Sequence, residues 1–300
     1  MFDIIVIGAG PAGMTAAIYA RRAAKTVLVL EAMSYGGQII NTPEIENYPA
    51  AAHISGFDFA AGVYNQAKEL GAEFRFEKAV EIEDRGEEKR VRTPKNEYAA
   101  KAVIIATGSV NRRLGVEGEE KLIGRGISYC ATCDGAFFRK KTVAVVGGGN
   151  TALEDALYLA DLAEKVYLIH RRDSFRGEES TVTRLREREN VEFVLNSVVR
   201  TLHADKKLSA VEVVNKQGEK RTLAVDGLFV AVGRIPENRN FAKLIALDAA
   251  GYAVAGEDCR TQTEGIFVAG DNRVKEVRQL VTATADGAVA ATEAIKYING

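Results

Sequence analysis

The apolar positions of this chain change period in a fixed order. Phe2–Ile7 is apolar except at Asp3, as a strand buried on both faces requires, and glycines follow at Gly8, Gly10 and Gly13. Met14–Ala24 then takes helical spacing, and Thr26–Leu30 reads as a second strand. The same order returns downstream, with a strand from Thr142, a turn at Gly147, Gly148 and Gly149, a helix over Leu153–Leu162 and a strand over Lys165–Ile169. Gly8 matches Gly147, Gly10 matches Gly149 and Gly13 matches Ala152 at one constant offset. Each copy later has an apolar strand that ends in a glycine turn, Val103–Gly108 and Leu228–Gly233.

Alternating segments lie between these runs. Ala79–Asp84, Glu88–Thr93 and Glu97–Ala100 predict a small antiparallel meander. Val198–His203, Ala210–Asn215 and Lys220–Val225 predict a second, turning at Lys216–Glu219. After Arg234-Ile235-Pro236 the chain returns through Thr261–Asp271 and closes with a long helix over Gln279–Ile298. The expected class is α/β, with two Rossmann-like, three-layer domains that each carry a meander, the second inserted into the first. Crossings near Leu114-Gly115 and Lys243-Leu244 assign residues 1–113 and 245–300 to one domain and 114–244 to the other.

A lone Gly-x-Gly-x-x-Gly is a weak signal. Here each copy follows a strand, opens a helix and is answered by a functional residue just over twenty positions on. Such a turn lets the backbone approach a dinucleotide pyrophosphate, and the helix N-terminus offers it amides and partial positive charge. The copies differ at the answering residue. Glu31 ends the second strand of the first copy, where a carboxylate accepts bonds from ribose hydroxyls. The second copy has His170, Arg171 and Arg172 there, with Arg176 a turn later, and guanidinium forks suit a 2′-phosphate that a carboxylate would repel. The plainer alternative is a solvated basic face, as at Arg184, Arg186 and Arg188.

Composition and charge narrow the function classes. A net charge of -1 gives no bulk attraction to nucleic acid or anionic lipid. Ile4–Ala20 carries no charge, yet glycines and Pro11 interrupt it and no basic segment precedes it, so the expectation is a soluble, cytoplasmic protein. Three cysteines are too few for a disulfide scaffold, and the odd count fits a reducing compartment.

Cys130-Ala131-Thr132-Cys133 places two thiols within reach of each other beside a βαβ pattern, a redox-active arrangement. Zinc is the alternative, but Cys259 and the three histidines lack ligand spacing, and no metal is expected. Inert thiols are another reading of the pair, and Cys259 reads as packing. Asp134 follows the second cysteine, where a carboxyl could protonate a departing thiolate; the bland reading is a helix-start aspartate.

Together these residues resemble the low-molecular-weight thioredoxin reductases of bacteria, over the whole chain. Cys130–Gly135 resembles their active-site motif, Gly147–Ala152 and His170–Arg176 their NADPH segments, and Gly36–Gln38 with Glu46–Tyr48 their early FAD segment. The resemblance implies an NADPH-dependent flavoprotein, a homodimer, with thioredoxin as its disulfide substrate. Cys133 would face the flavin, Cys130 would attack thioredoxin and Asp134 would be the general acid. FAD would contact Gly8, Gly10, Pro11, Ala12 and Gly13, then Glu31 and Ala32, then Gly36, Gly37, Gln38 and Asn47. Val80, Ala106, Thr107 and Gly108 would also touch it, with Gly270, Asp271, Arg278, Gln279 and Leu280 at the ribityl chain and ring. NADPH would take Gly147, Gly148, Gly149, Asn150 and Thr151, then His170, Arg171, Arg172 and Arg176, then Val232 and Gly233. Arg125 and the Phe137-Phe138 pair match positions linked to thioredoxin docking. Ala50, Ala136 and Asn272 depart from the family pattern. A ferredoxin-feeding flavin reductase would need no such cysteine pair, while a reductase of another disulfide, such as a glutaredoxin-like protein or a small thiol, stays open. A nucleotide-sensing module would need neither the redox pair nor two dinucleotide sites together.

Overall fold

In a computed structural model, which describes residues 1–42, 44–51 and 53–300, the chain forms two compact units. One comprises Met1–Val110 and Ile235–Gly300, the other Asn111–Arg234. Both crossings lie earlier than the sequence placed them, the second by more. Phe241 and Ile245 give the reason, because both are buried in the first unit's core with Ile5, Ile7 and Val268. The passages themselves, Ser109–Asn111 and Arg234–Pro236, pair as short strands.

In the first unit, strands Glu73–Arg75, Val27–Leu30, Phe2–Ile7 and Glu97–Ile105 lie side by side, with Ile266–Val268 parallel to the last of these. The sequence reads Glu97–Ala100 and Val103 onward as separate strands, whereas Glu97–Ile105 is continuous, since nothing in Tyr98–Ala102 can turn the chain. Its first half pairs antiparallel with Glu88–Arg92 in the meander, and its second half pairs with Ile266–Val268. Helices Pro11–Arg22 and Leu280–Asn299 cover one sheet face, where Ile4, Val6, Ile104, Ala16 and Ala290 are buried together. Gly287 permits their close approach, because a Cβ there would strike the Ala12 carbonyl. The opposite face packs Ile5, Ile7, Val103 and Ile105 against Ile82 and Val91 of the meander.

The second unit repeats this layering. Five parallel strands run in the order Val191–Val194, Lys165–Ile169, Thr142–Gly147, Gly227–Ala231, Ile127–Ser128. Helices Asn150–Ala160 and Glu179–Arg186 bury Leu153, Leu159 and Leu185 against one face. The meander Ser197–Ala204, Leu208–Asn215 and Lys220–Ala224 covers the other with Val199, Val211 and Leu223. Both motif helices begin about a turn before the sequence expectation, at Pro11 and Asn150, directly on the glycine turns. Gly10 and Gly149 cap them without a side-chain bond, so no capping side chain competes with a ligand for the first-turn amides.

Candidate functional site

The first glycine turn is built by close backbone approach. Gly8 has φ +109°, and a Cβ there would collide with the Ala106 carbonyl. A Cβ on Gly13 would meet the Gly8 carbonyl, whereas one on Gly10 would meet nothing within 4 Å. Glu31 reaches back to this turn from the neighbouring strand end. Its Oε2 accepts the Ala9 N–H at 2.8 Å and its Oε1 accepts the Met33 N–H at 3.0 Å. Gly36 donates its N–H to the Ala9 carbonyl at 2.7 Å, and Gly37, with φ +61°, lies against the Gly10 Cα. On the other side Gly270, with φ +88°, lies against Ala12. The Asn47 amide donates to Gln279 Oε1 at 3.2 Å, just before the last helix begins at Leu280. The structure thus gathers Gly8–Gly13, Glu31, Gly36, Gly37, Ala106 and Gly270 about one helix N-terminus. Val80 belongs to the entry of the meander, its N–H on the Arg92 carbonyl.

These residues fit a bound dinucleotide on two observations. Space opens at Gly10, and the Arg278 Nε is buried with no hydrogen-bond partner among the described residues while its guanidinium lies over Tyr252, 4.1 Å from the ring centre. Beneath the site runs a charge cluster that the sequence reading missed. Asp286 accepts the Gly270 N–H at 2.9 Å, two bonds from Arg273 at 2.8 and 2.7 Å, and one from Lys275 at 2.8 Å. Burial pushes its carboxyl up, but the Arg273 and Lys275 bonds outweigh that and hold it below the ordinary carboxylate range. Its one legible signal is an acid on the Ala-rich face of the last helix. Asn272, a departure at sequence level, is also buried, and its amide donates to the carbonyl of Ile105 at 3.0 Å and to Asn238 Oδ1 at 3.2 Å. Cys259 is fully buried, and burial, with Asp286 nearby, pushes its thiol up to about 12.

The second turn uses the same frame. A Cβ on Gly147 would strike the Ala231 carbonyl, as one on Gly8 would strike Ala106, and Gly149 again opens on empty space. His170 does not project from this site: it is 6% exposed, Nε2 lies 3.1 Å from the Ser174 carbonyl, and its ring stacks on Phe175. The ring occupies the place a Gly148 side chain would need. Burial first, and then the charges of Arg171 and Arg172, hold it below the usual histidine range. The following loop folds over the turn, with Arg176 N–H on the Gly148 carbonyl at 2.7 Å and Glu178 N–H on Asn150 Oδ1 at 2.8 Å. Arg171, Arg172 and Arg176 are exposed, and among the described residues none of them forms a salt bridge. Free guanidiniums beside an open glycine turn fit a ligand phosphate.

Cys130 and Cys133 are joined as a disulfide, Cα atoms 5.3 Å apart, across the first turn of the short helix Ala131–Asp134. Both are half-buried. Asp134 N–H donates to the Cys130 carbonyl at 3.1 Å, and the Asp134 Oδ2 accepts the Ser128 hydroxyl at 2.6 Å. The segment before the pair is anchored by buried Glu119, which accepts the Tyr129 hydroxyl at 2.6 Å and the amides of Leu114 and Gly115. Burial and then Glu119 push the Tyr129 phenol up. Of the aromatic pair, Phe137 is exposed, whereas Phe138 packs on Phe229 with ring centres 5.2 Å apart and fills the space above Gly227. Arg125 is exposed.

A family model described as pyridine nucleotide-disulphide oxidoreductase matches residues 2–287. A thioredoxin reductase of Listeria innocua is 45% identical over 300 residues, covering 99% of this chain and 94% of its own length. One from Bacillus subtilis is 42% identical, covering 99% and 95%. The crystal structure of thioredoxin reductase from Streptococcus pyogenes superposes with a TM-score of 0.95 at 42% identity, covering 100% of this chain and 98% of that one. A glycine turn after a parallel strand in each unit, a joined cysteine pair and this full-length likeness agree: the chain belongs to the pyridine nucleotide-disulphide oxidoreductase family.

Proposed function

We propose that this chain is a thioredoxin reductase that draws on NADPH and FAD. The observation that carries the reading is the joined Cys130–Cys133 pair with a carboxyl, Asp134, in the same helical turn. Full-length likeness to thioredoxin reductases names the partner. Bound together, the two cofactors would supply the two electrons that open the disulfide.

The chain's own residues hold and steer. The Gly8–Gly13 turn and the amides of the first helix take the FAD pyrophosphate, and Glu31, already fixed by two backbone amides, takes ribose hydroxyls. Gly36, Gly37, Asn47, Asp271, Arg278 and Gln279 line the rest of that site. The Gly147–Gly149 turn takes the NADPH pyrophosphate, with Asn150 and Thr151 at the helix start. Arg171, Arg172 and Arg176 take its 2′-phosphate, and His170 braces the turn rather than meeting the ligand.

In the exchange the Cys130 thiolate attacks one sulfur of the thioredoxin disulfide, that S–S bond breaks, and Asp134 gives its proton to the departing thiolate. Cys133 then gives its thiol proton to Asp134 and attacks the Cys130 sulfur as a thiolate. The mixed disulfide breaks, the second thioredoxin sulfur leaves with that proton from Asp134, and the chain's own disulfide is restored as thioredoxin departs as a dithiol. Two electrons and two protons have moved. Exposed Arg125 and Phe137 form the docking contact, while Phe138 supports it from the core. The protein acts as a cytoplasmic homodimer, and Val281 and Val289 on the last helix offer an exposed apolar stripe for the second copy.

With FAD bound, the purified protein should consume NADPH only when oxidised thioredoxin is added, and thioredoxin thiols should appear in equal measure. NADPH consumption indifferent to thioredoxin would sink the reading. Sedimentation at the mass of one chain would remove the dimer.

A further inference from the structure

We propose that Ser128 is a positioning residue for the thiol exchange, its hydroxyl holding the Asp134 carboxyl at the redox turn in either protonation state. The proposal rests on the reading of Asp134 as proton donor given above.

Ser128 ends the two-residue strand Ile127–Ser128, which pairs in parallel with Phe229 and its neighbour. Ile127 is buried in the meander-side core, so alternation along the strand turns Ser128 to the opposite face, the side on which Ala131 packs. Ser128 is only 5% exposed. Three groups of the redox turn converge on its hydroxyl. Asp134 Oδ2 is 2.6 Å away, the Cys130 N–H donates to it at 3.1 Å, and the Cys130 carbonyl stands at 3.2 Å. One buried hydroxyl therefore ties the strand end to both ends of the Cys130–Asp134 turn.

A hydroxyl has one proton and two lone pairs, and this geometry uses them in two ways. With Asp134 ionised, Ser128 donates to the carboxylate and accepts from the Cys130 N–H. With Asp134 protonated, the acid proton can point to the Ser128 oxygen, whose own proton turns to the Cys130 carbonyl. Every partner stays satisfied while Asp134 gains and gives its proton, so the carboxyl need not move between steps. Donation to the ionised form also favours carboxylate over acid. Alanine at this position would remove both the acceptor for Cys130 and the donor to Asp134.

The test follows one exchange between the dithiol-reduced, FAD-loaded protein and oxidised thioredoxin, read from thioredoxin fluorescence as a function of pH. The wild-type rate should fall over the pH range in which Asp134 loses its proton, and Asp134→Asn should lack that limb. Ser128→Ala should move the limb upward by about one pH unit or more, the scale of a lost hydrogen bond to a charged group. Ser128→Thr, which keeps the hydroxyl, should restore it, and the KM for NADPH should not change in either variant. A uniformly slower Ser128→Ala with its limb unmoved overturns the positioning role while leaving Asp134 as the acid. A limb that survives Asp134→Asn overturns both. If Ser128→Ala fails to fold, Ser128→Gly must show the same upward movement, and an unmoved limb there overturns the proposal.

Discussion

At the first glycine turn the neighbouring strand answers with Glu31, whose two carboxylate oxygens are both held by backbone amides. At the second it answers with His170, buried under the turn and stacked on Phe175, while the arginines that follow stand exposed, with no salt bridge among the described residues. The backbone frame is otherwise shared: Gly8 and Gly147 press on the carbonyls of Ala106 and Ala231, and Gly10 and Gly149 open on space. The two turns therefore differ in what the strand end carries and how firmly it is tied. The first unit presents a carboxylate fixed by two backbone amides. The second spends its answering residue on bracing the turn and leaves the guanidiniums beyond it exposed.

The largest expected effects separate the packed glycines from the open ones. Gly8→Ala adds a Cβ against a carbonyl at φ +109° and should cost about 3 kcal/mol or more of stability, read as a lowered melting temperature even without FAD. Gly10→Ala should leave the melting temperature of the FAD-free protein unchanged and weaken FAD retention instead. Equal destabilisation by both would mean that Gly10 serves packing and not a ligand.

Next comes the phosphate contrast. Replacing Arg171 and Arg172 by glutamine removes charge-assisted bonds of roughly 1.5–3 kcal/mol each, so the KM for NADPH should rise at least tenfold. The KM for NADH should hardly move, and parallel rises for the two cofactors would show these arginines to be a solvated face.

Smaller effects should appear as different acid sensitivities of the two units. His170 in its folded setting binds a proton less readily than in the unfolded chain. Its contribution to stability is complete above the ordinary value of 6.5 and is lost as pH falls from there toward the folded value. Asp286 is also depressed, so its contribution is complete above the ordinary 3.8 and is lost only below it. Denaturant melts should show the first loss removed by His170→Asn and the second by Asp286→Asn. A loss in the higher window that persists in His170→Asn would contradict the buried imidazole. The smallest signal is at Cys259, which should resist alkylation in the native, reduced protein while Cys130 and Cys133 react, because its thiol is buried and pushed up to about 12.

Much of this was open to the sequence because it rests on local rules. Continuous apolar runs, glycines at fixed spacing and a constant offset set two strand–turn–helix units and their two meanders. The spacing of Cys130 and Cys133 makes their pairing a short-range matter, and Asp134 is their neighbour in the chain. What local rules could not decide is which face a side chain takes once distant segments pack. His170 and Arg171 are adjacent in sequence, yet one is buried under Gly148 and the other exposed. Phe137 and Phe138 part in the same way, because Gly227 leaves room for one ring alone. The Asp286 cluster joins residues on either side of the Lys275–Leu280 bend, and Asn238 reaches Asn272 across a long sequence separation. The second crossing moved to Arg234-Ile235 because Phe241 and Ile245 found the first unit's core. Sequence fixes periodicity, turns and near neighbours, which depend on backbone geometry within a few residues. Burial, and with it the charge state of His170 and Asp286 and the partners of Ser128, depends on contacts that exist only after the sheets, helices and meanders have closed on one another.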